Sequence, residues 1–326
     1  MVRAFLYDAD GHDREVPLDE ALRGKLSDHV LLWLDADSRD DPQLIDVSSK
    51  LQLDPRTLDA LIAEKGDVRL HNYGTYFQLS LATPPSPDGK SKLEGEGDRR
   101  LDFVVGDRWL LTVSDGPVEL FERYRAQDRA ETMLGALSPT AVAASLLDWH
   151  LEAYLDAAAE LEAAVDELDE QVLSAKSSGQ ILGRMVGLKR RVSRLRMRLG
   201  VQRGVFYGLA RPDFVLVAST EAAAHYANLV GRFERAIDEV ERTRDLVVGS
   251  FELFSSRTNL ETNELVKTLT FVTVIVGVCA ALAGLMGMNF KAAIYNTGDA
   301  GFWVVVGALL AASAGATVFA RRRGWI

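Results

Sequence analysis

The chain has 326 residues, with 37 Lys and Arg against 47 Asp and Glu, a formal net charge of −10, and a single cysteine. That length accommodates a sizeable core together with membrane helices, and one thiol excludes a disulfide framework or a cysteine metal cluster. From residue 264 onward there are five basic and two acidic side chains, leaving −13 on residues 1–263; so acidic a segment disfavours nucleic acid as a partner, whose phosphates need clustered Lys and Arg, and serves solubility or the gathering of cations.

Near the start, Asp8 and Asp10 interrupt any apolar stretch, so no signal peptide is expected and the N-terminal part is expected in the cytoplasm. Residues 1–135 read as a mixed α/β domain, with strands expected at 4–7, 30–34, 76–81, 102–105 and 109–113. Asp54-Pro55 opens a helix expected to run to Ala63, because proline suits a first turn. A Pro-, Gly-, Ser- and charge-rich loop covers 84–98, and Gly106-Asp107 between two apolar runs predicts a tight hairpin.

From Ser138-Pro139 the pattern becomes helical, and residues 136–220 form a charged helical region. Residues 152–170 carry eight acids and no base, while 184–203 carry eight bases and no acid. A turn near Ser177-Ser178-Gly179 would lay these segments antiparallel so that they neutralise each other; the functional alternative is that the acidic helix binds hydrated cations. Beyond Pro212, the last proline, apolar residues Tyr226, Leu229, Phe233, Ile237, Val240, Val247, Phe251 and Phe254 recur at three or four. They predict a stalk helix over 221–263 which, if unbroken from Ala222 to Asn289, would be about 100 Å long. It either couples the α/β domain mechanically to the membrane part or only tethers it.

Residues 264–290 are long enough to cross a bilayer, and none from 268 to 290 is charged. The ten Leu, Ile, Val and Phe side chains there each favour insertion by roughly 0.3 to 0.6 kcal/mol. Stepping by three or four from Asn263 meets Val266, Thr270, Thr273, Gly277, Ala280, Gly284 and Gly287, a small and hydroxylated face that serves helix packing or lines a narrow aqueous space. A polar loop, 291–299, separates this run from a second uncharged one, 300–320, and a basic tail, 321–326. Arg321, Arg322 and Arg323, with Lys267, predict that both termini are cytoplasmic.

Asn263, Lys267, Leu269 and Thr270 form an N-x-x-x-K-x-L-T pattern, and Gly287, Met288 and Asn289 form a GMN triplet. In this context the chain resembles the CorA and ZntB family of divalent-cation transporters. Segments 69–81 (RLHNYGTYFQLSL) and 101–114 (LDFVVGDRWLLTVS) resemble its characteristic strands. The closing Arg-Gly-Trp-Ile and the basic region around Arg190 are more similar to the ZntB branch, whereas Met288 is the CorA choice. The resemblance implies a homopentamer with the first membrane helix inside and the second outside. It also implies a selectivity filter at Gly287, Met288 and Asn289, with Asn289 meeting the ion through its hydration shell. The pore lining would be Asn263, Val266, Leu269, Thr270, Thr273, Gly277, Ala280 and Gly284, with apolar gates at Val266 and Leu269. Two departures bear on selectivity: Met286 stands where CorA has Tyr before GMN, and Lys291-Ala292-Ala293-Ile294 replaces an M-P-E sequence.

His12, His29, His71, His150 and His225 are scattered, and no H-E-x-x-H, G-x-S-x-G or P-loop pattern occurs, so an enzyme is not expected. The sequence thus predicts a multi-pass protein of the cell (inner) membrane that conducts Mg²⁺, Co²⁺ or Zn²⁺, needs no cofactor, and has itself, divalent cations and the bilayer as partners. The rival reading is a non-transporting membrane-anchored scaffold or ion sensor, and against it stands the polar Asn289 beside a small-residue face.

Overall fold

The computed structural model describes residues 1–8, 13–23, 29–85, 100–116, 118, 121–122, 137–174, 178–287 and 298–323. It separates into two units, Met1–Gln171 with Lys176–Ser250, and Val172–Ala175 with Phe251–Ile326.

The first unit is built on one mixed sheet. Its strands are β1 (Val2–Asp8), β2 (Arg14–Val16), β3 (Val30–Ala36), β4 (Arg69–Asn72), β5 (Phe77–Ala82), β6 (Arg100–Val105) and β7 (Trp109–Ser114), in the spatial order β2-β1-β3-β7-β6-β5-β4. Among the described strands only β3 and β7 pair in parallel, Leu34 opposite Leu111; the other neighbours are antiparallel. The expected hairpin at Gly106 joins β6 to β7 and closes through the Gly106 N–H donating to the Trp109 carbonyl at 2.9 Å. The five expected strands are present; four are longer by one to three residues, and the one expected at 76–81 is shifted by one residue to Phe77–Ala82.

Apolar side chains on alternate positions give the sheet two buried faces. On one, Leu32, Leu34, Val104, Leu111 and Val113 pack with Leu44, Val47 and Leu61 of two short helices, α2 (Gln43–Lys50) and α3 (Pro55–Ile62); a single turn, α1 (Leu18–Ala21), precedes them. The helix expected from Asp54-Pro55 is present as α3, ending at Ile62, and Asp54 caps it, its carboxylate accepting from the Arg56 N–H at 2.9 Å. On the other face Trp33 meets Phe121 edge-on at 5.6 Å and Phe77 meets Phe214 at 5.4 Å.

A buried ionic cluster locks α3 to the sheet. Asp102, fully buried, accepts from Arg39 at 2.5 Å, from Arg100 at 2.8 Å and from the Ser80 hydroxyl. The same guanidinium groups reach the end of α3, where Arg39 donates to the Leu61 carbonyl and Arg100 to the Ala60 carbonyl. Carbonyls without intrahelical partners are thereby satisfied.

The helical part of this unit comprises α4 (Pro139–Ser174), α5 (Ser178–Gly200), α6 (Arg203–Leu209), α7 (Val215–Ala218) and the first half of α8 (Ala223–Met286). The expected turn residue Ser177 lies outside the described residues, between α4 and α5. Charge neutralisation is shared three ways rather than between two segments. Arg184 of α5 pairs with Glu167 of α4 at 3.2 Å, but Arg203 pairs with Glu234 and Arg196 with Glu241, both on α8. Arg232 of α8 in turn reaches Asp148 on α4 at 2.7 Å. Exposed pairs contribute little individually, so they set which helix faces which more than they add stability.

A second polar knot ties α4 to the end of β5. His150 is buried against Gln202 at 2.8 Å, and the Gln202 amide nitrogen donates to the Ala82 carbonyl at 3.0 Å and to the Tyr154 oxygen at 2.9 Å. Because that nitrogen is committed as a donor, the glutamine oxygen accepts, and the neutral imidazole carries its proton on Nε2.

In the second unit the continuation of α8 meets α9 (Gly298–Arg322). Both helices are long and apolar enough to cross a membrane, by length and composition. The expected stalk and first membrane run are one unbroken helix of 64 residues, with no proline to stop it.

Candidate ion path

Around α8 each residue turns the helix by about 100°. Phe271, Ile275 and Cys279, spaced by four, are partly covered, and Cys279 Sγ meets Ser313 Oγ of α9 at 3.4 Å. On α9 the partly covered residues Val305, Leu309, Ser313 and Thr317 recur at the same spacing, and Ala320 is fully buried. This is the seam of the hairpin.

The expected path residues lie on the other side. Val266, Thr270, Thr273, Gly277, Ala280 and Gly284 centre about 180° from the seam, with Asn263 and Leu269 about 60° to either side of that line. All eight are exposed in the single chain, Val266 by 53% and Leu269 by 67%. A methyl group added at Gly277 or Gly284 would meet nothing within 4 Å. The small-residue face is therefore not used for packing within the hairpin.

Its hydroxyls are engaged with the helix backbone. Thr270 donates its hydroxyl to the Val266 carbonyl and Thr273 to the Leu269 carbonyl, both at 2.8 Å. With the proton committed to the backbone, each hydroxyl presents only acceptor lone pairs outward. Among the described residues no group of three or more His, Cys, Asp or Glu side chains converges, and the side-chain oxygens of Thr270 and Thr273 on this face are neutral. At its far end α8 closes with the Gly287 N–H shared between the Ala283 and Gly284 carbonyls at 3.0 and 3.2 Å. Met288 and Asn289, the rest of the expected filter, lie outside the described residues, as does Lys291.

The hairpin carries membrane-interface markers at both ends. Phe302 and Trp303 are 64% and 68% exposed near one end of α9, and Arg321, Arg322 and Arg323 follow at the other. Trp303 and Arg321 are 18 residues apart, about 27 Å along a helix, close to the thickness of a hydrocarbon core.

The seam residues went unrecognised from sequence, because Cys279 counts as one more apolar position in an apolar run. The available signal was the matched four-residue spacing of Phe271, Ile275 and Cys279 with Val305, Leu309 and Ser313.

An α/β unit, a long helix shared with a two-helix apolar hairpin, and a small, hydroxylated face turned away from that hairpin's seam define an ion-conducting membrane protein. Residues 28–322 match the family described as CorA-like Mg²⁺ transporter protein, and the chain belongs to that family. The cobalt/magnesium transport protein CorA of Methanocaldococcus jannaschii is 21% identical over 334 residues, covering 100% of both chains. The complete structure of the CorA magnesium transporter from the same organism superimposes with a TM-score of 0.78 at 20% identity, covering 99% of this chain and 98% of that one. The ZntB cytoplasmic domain of Vibrio parahaemolyticus covers 79% of this chain and 98% of its own, with a TM-score of 0.59 at 12% identity.

Proposed function

We propose that this chain conducts divalent cations, Mg²⁺, Co²⁺ or Zn²⁺, along their electrochemical gradient through a pore shared by several copies. The observation that carries this is the opposition on α8 between the face that packs on α9 and the face that presents Thr270, Thr273, Gly277, Ala280 and Gly284. Two helices cannot enclose a polar path and hide it from lipid, so several chains contribute α8 to one pore. The family resemblance supports five copies, with α8 inside and α9 outside. The names of the M. jannaschii relatives, cobalt/magnesium transport protein and magnesium transporter, support the choice of ion.

On this reading Gly287, Met288 and Asn289 form the filter, where a ring of Asn289 amide oxygens accepts hydrogen bonds from the water shell of an ion that dehydrates reluctantly. Val266 and Leu269 form apolar rings that stop flow by dewetting. Residues 1–135 are the cytosolic α/β domain, 136–220 the charged helices, 221–263 the stalk, 264–290 and 300–320 the membrane spans, 291–299 the external loop and 321–326 the cytoplasmic tail. Both termini face the cytoplasm of a cell (inner) membrane, because Lys267, Arg321, Arg322 and Arg323 gather on one side.

The test is flux of Mg²⁺, Co²⁺ and Zn²⁺ into proteoliposomes holding the full chain, with Asn289→Ala as the control. Divalent flux in the wild type and its loss in an Asn289→Ala protein of unchanged oligomeric mass and thermal stability are expected. Wild-type flux in that variant would overturn the filter assignment, and no divalent flux in a well-assembled wild-type protein would overturn the function.

A further inference from the structure

The basic end of the hairpin holds more charge than topology requires. Arg321, Arg322 and Arg323 are consecutive and exposed, and none forms an ion pair with a described residue. Nearby acids are displaced: in α8 the nearest is Glu264, one turn below Lys267, and Asp299 stands at the opposite end of α9.

The helix register adds a fourth cation. Cys279 lies beside Ser313, so in an antiparallel hairpin eight residues on from Ser313, at Arg321, is level with eight residues back from Cys279, at Phe271. Each step is about 12 Å. Arg323 then falls level with Leu269, and Lys267, which is exposed, stands about 3 Å further on.

An apolar surface descends from this cationic belt. Arg323 rests over the Phe319 ring, 5.1 Å from its centroid, which holds the guanidinium against the helix instead of extended into water. Stepping by three or four from Phe319 towards the opposite end meets Gly315, Ala312, Ala308 and Val304, all exposed. A methyl group added at Gly315 would meet nothing within 4 Å. Between Phe319 and Val304 this face is a shallow channel without a large side chain, starting directly below guanidinium groups that form no ion pair with a described residue. Phosphate with an attached hydrocarbon chain matches both halves, whereas a free phosphate matches only the upper one.

We propose that Arg322 and Arg323, with Arg321 and Lys267 beside them, bind the headgroup of an anionic phospholipid whose acyl chain lies along Gly315, Ala312 and Ala308. This rests on α9 being a membrane-spanning helix with its basic end at the cytoplasmic surface, where anionic lipids attract Lys and Arg. It extends the transport reading by naming a lipid partner of the outer helix.

The test uses full-length protein in detergent, titrated with phosphatidylglycerol or phosphatidylcholine, bound lipid being read by native mass spectrometry and by the shift in unfolding temperature. Wild type should retain phosphatidylglycerol preferentially. Arg322→Gln/Arg323→Gln should weaken that binding roughly thirtyfold, from about 1 kcal/mol per charge, while Arg322→Lys/Arg323→Lys preserves it. Gly315→Leu should weaken it with all charges kept, and inorganic phosphate should not reproduce the shift. Equal retention of the two lipids, or wild-type binding by the Gln variant, would overturn the site. Full reproduction of the shift by inorganic phosphate would reduce it to an anion patch and overturn the lipid assignment. Because lipid binding is read at equilibrium without ion flux, its failure and a failure of transport are separate results.

Discussion

Arg39 Nη1 stands 2.5 Å from an Asp102 carboxylate oxygen, with 5% of the arginine side chain and none of the aspartate exposed. A buried pair of this kind adds little by its own attraction once desolvation is counted, but breaking it strands a charge in the interior. Asp102→Ala is therefore expected to destabilise the α/β unit by about 3–5 kcal/mol, since Arg39 and Arg100 lose their common acceptor together. Denaturant unfolding of the full chain, followed by far-UV circular dichroism, measures it; a loss under about 1 kcal/mol, the range of an exposed pair, would show that water reaches the cluster.

His150 gives the first unit a pH dependence. Burial holds its pKa at about 4, below the usual 6.5, with the Gln202 hydrogen bond opposing that shift. Above pH 6.5 the imidazole is neutral in folded and unfolded chains and costs nothing. As pH falls from 6.5 towards 4 the unfolded chain takes up a proton that the folded chain refuses, so stability declines by on the order of 3 kcal/mol and levels off below pH 4. His150→Gln, which keeps a donor for the Gln202 oxygen, should flatten this decline in a series of unfolding temperatures between pH 7 and 4.

Gly277 and Gly284 face open space in the single chain. Gly277→Leu should leave the hairpin folded and raise its helical propensity, yet reduce divalent flux at least tenfold, because copies brought round one axis place the new side chains in the path. Unchanged flux at equal protein level would move the path to another face of α8.

Val266 and Leu269 are exposed by 53% and 67% without a cover from their own hairpin. Replacing either with Ser should raise basal ion leak, measured as current or dye quenching in proteoliposomes lacking an activating gradient. If neither substitution alters leak, closure happens elsewhere along the helix.

Topology has a direct chemical readout. With Cys279 changed to Ser to leave no background thiol, a cysteine placed at Asn296 should react with an impermeant maleimide added outside the cell. Reaction only after the cytoplasmic side is opened would reverse the orientation.

How much of this was legible in the sequence followed from what each segment buries. β3 and the start of β7 are apolar runs because the sheet is covered on both faces, and such runs are easy to see; β5 alternates, with Gln78 and Ser80 between Phe77, Leu79 and Leu81, and β6 ends in Phe103, Val104 and Val105. β2, with Arg14 and Glu15 exposed, and β4, with His71 and Asn72 exposed, pair at the sheet edges and leave no period to detect. The two C-terminal helices announced themselves by lacking charge. Apolarity did not show which side of α8 holds α9, since Phe271, Ile275 and Cys279 are no more apolar than Val272, Val274 and Val276; only the four-residue spacing shared with α9 carried that information. The Asp102 cluster was hidden for a different reason: Arg39, Ser80 and Arg100 come from three separate segments, and only the folded sheet makes them neighbours.

Along α8 the hydroxyls of Thr258, Thr262, Thr268, Thr270 and Thr273 each donate to the carbonyl four residues earlier. Those carbonyls also serve the helix's own ladder, and an acceptor divided between two donors holds each less firmly, which is how such residues bend helices. Five shared acceptors within 16 residues make this a pliable stretch of a rod that has no proline hinge. A tilt imposed there would be absorbed over four turns as gentle curvature, carrying Val266 and Leu269 with it, and the helix could change the width of whatever it encircles without breaking a single turn.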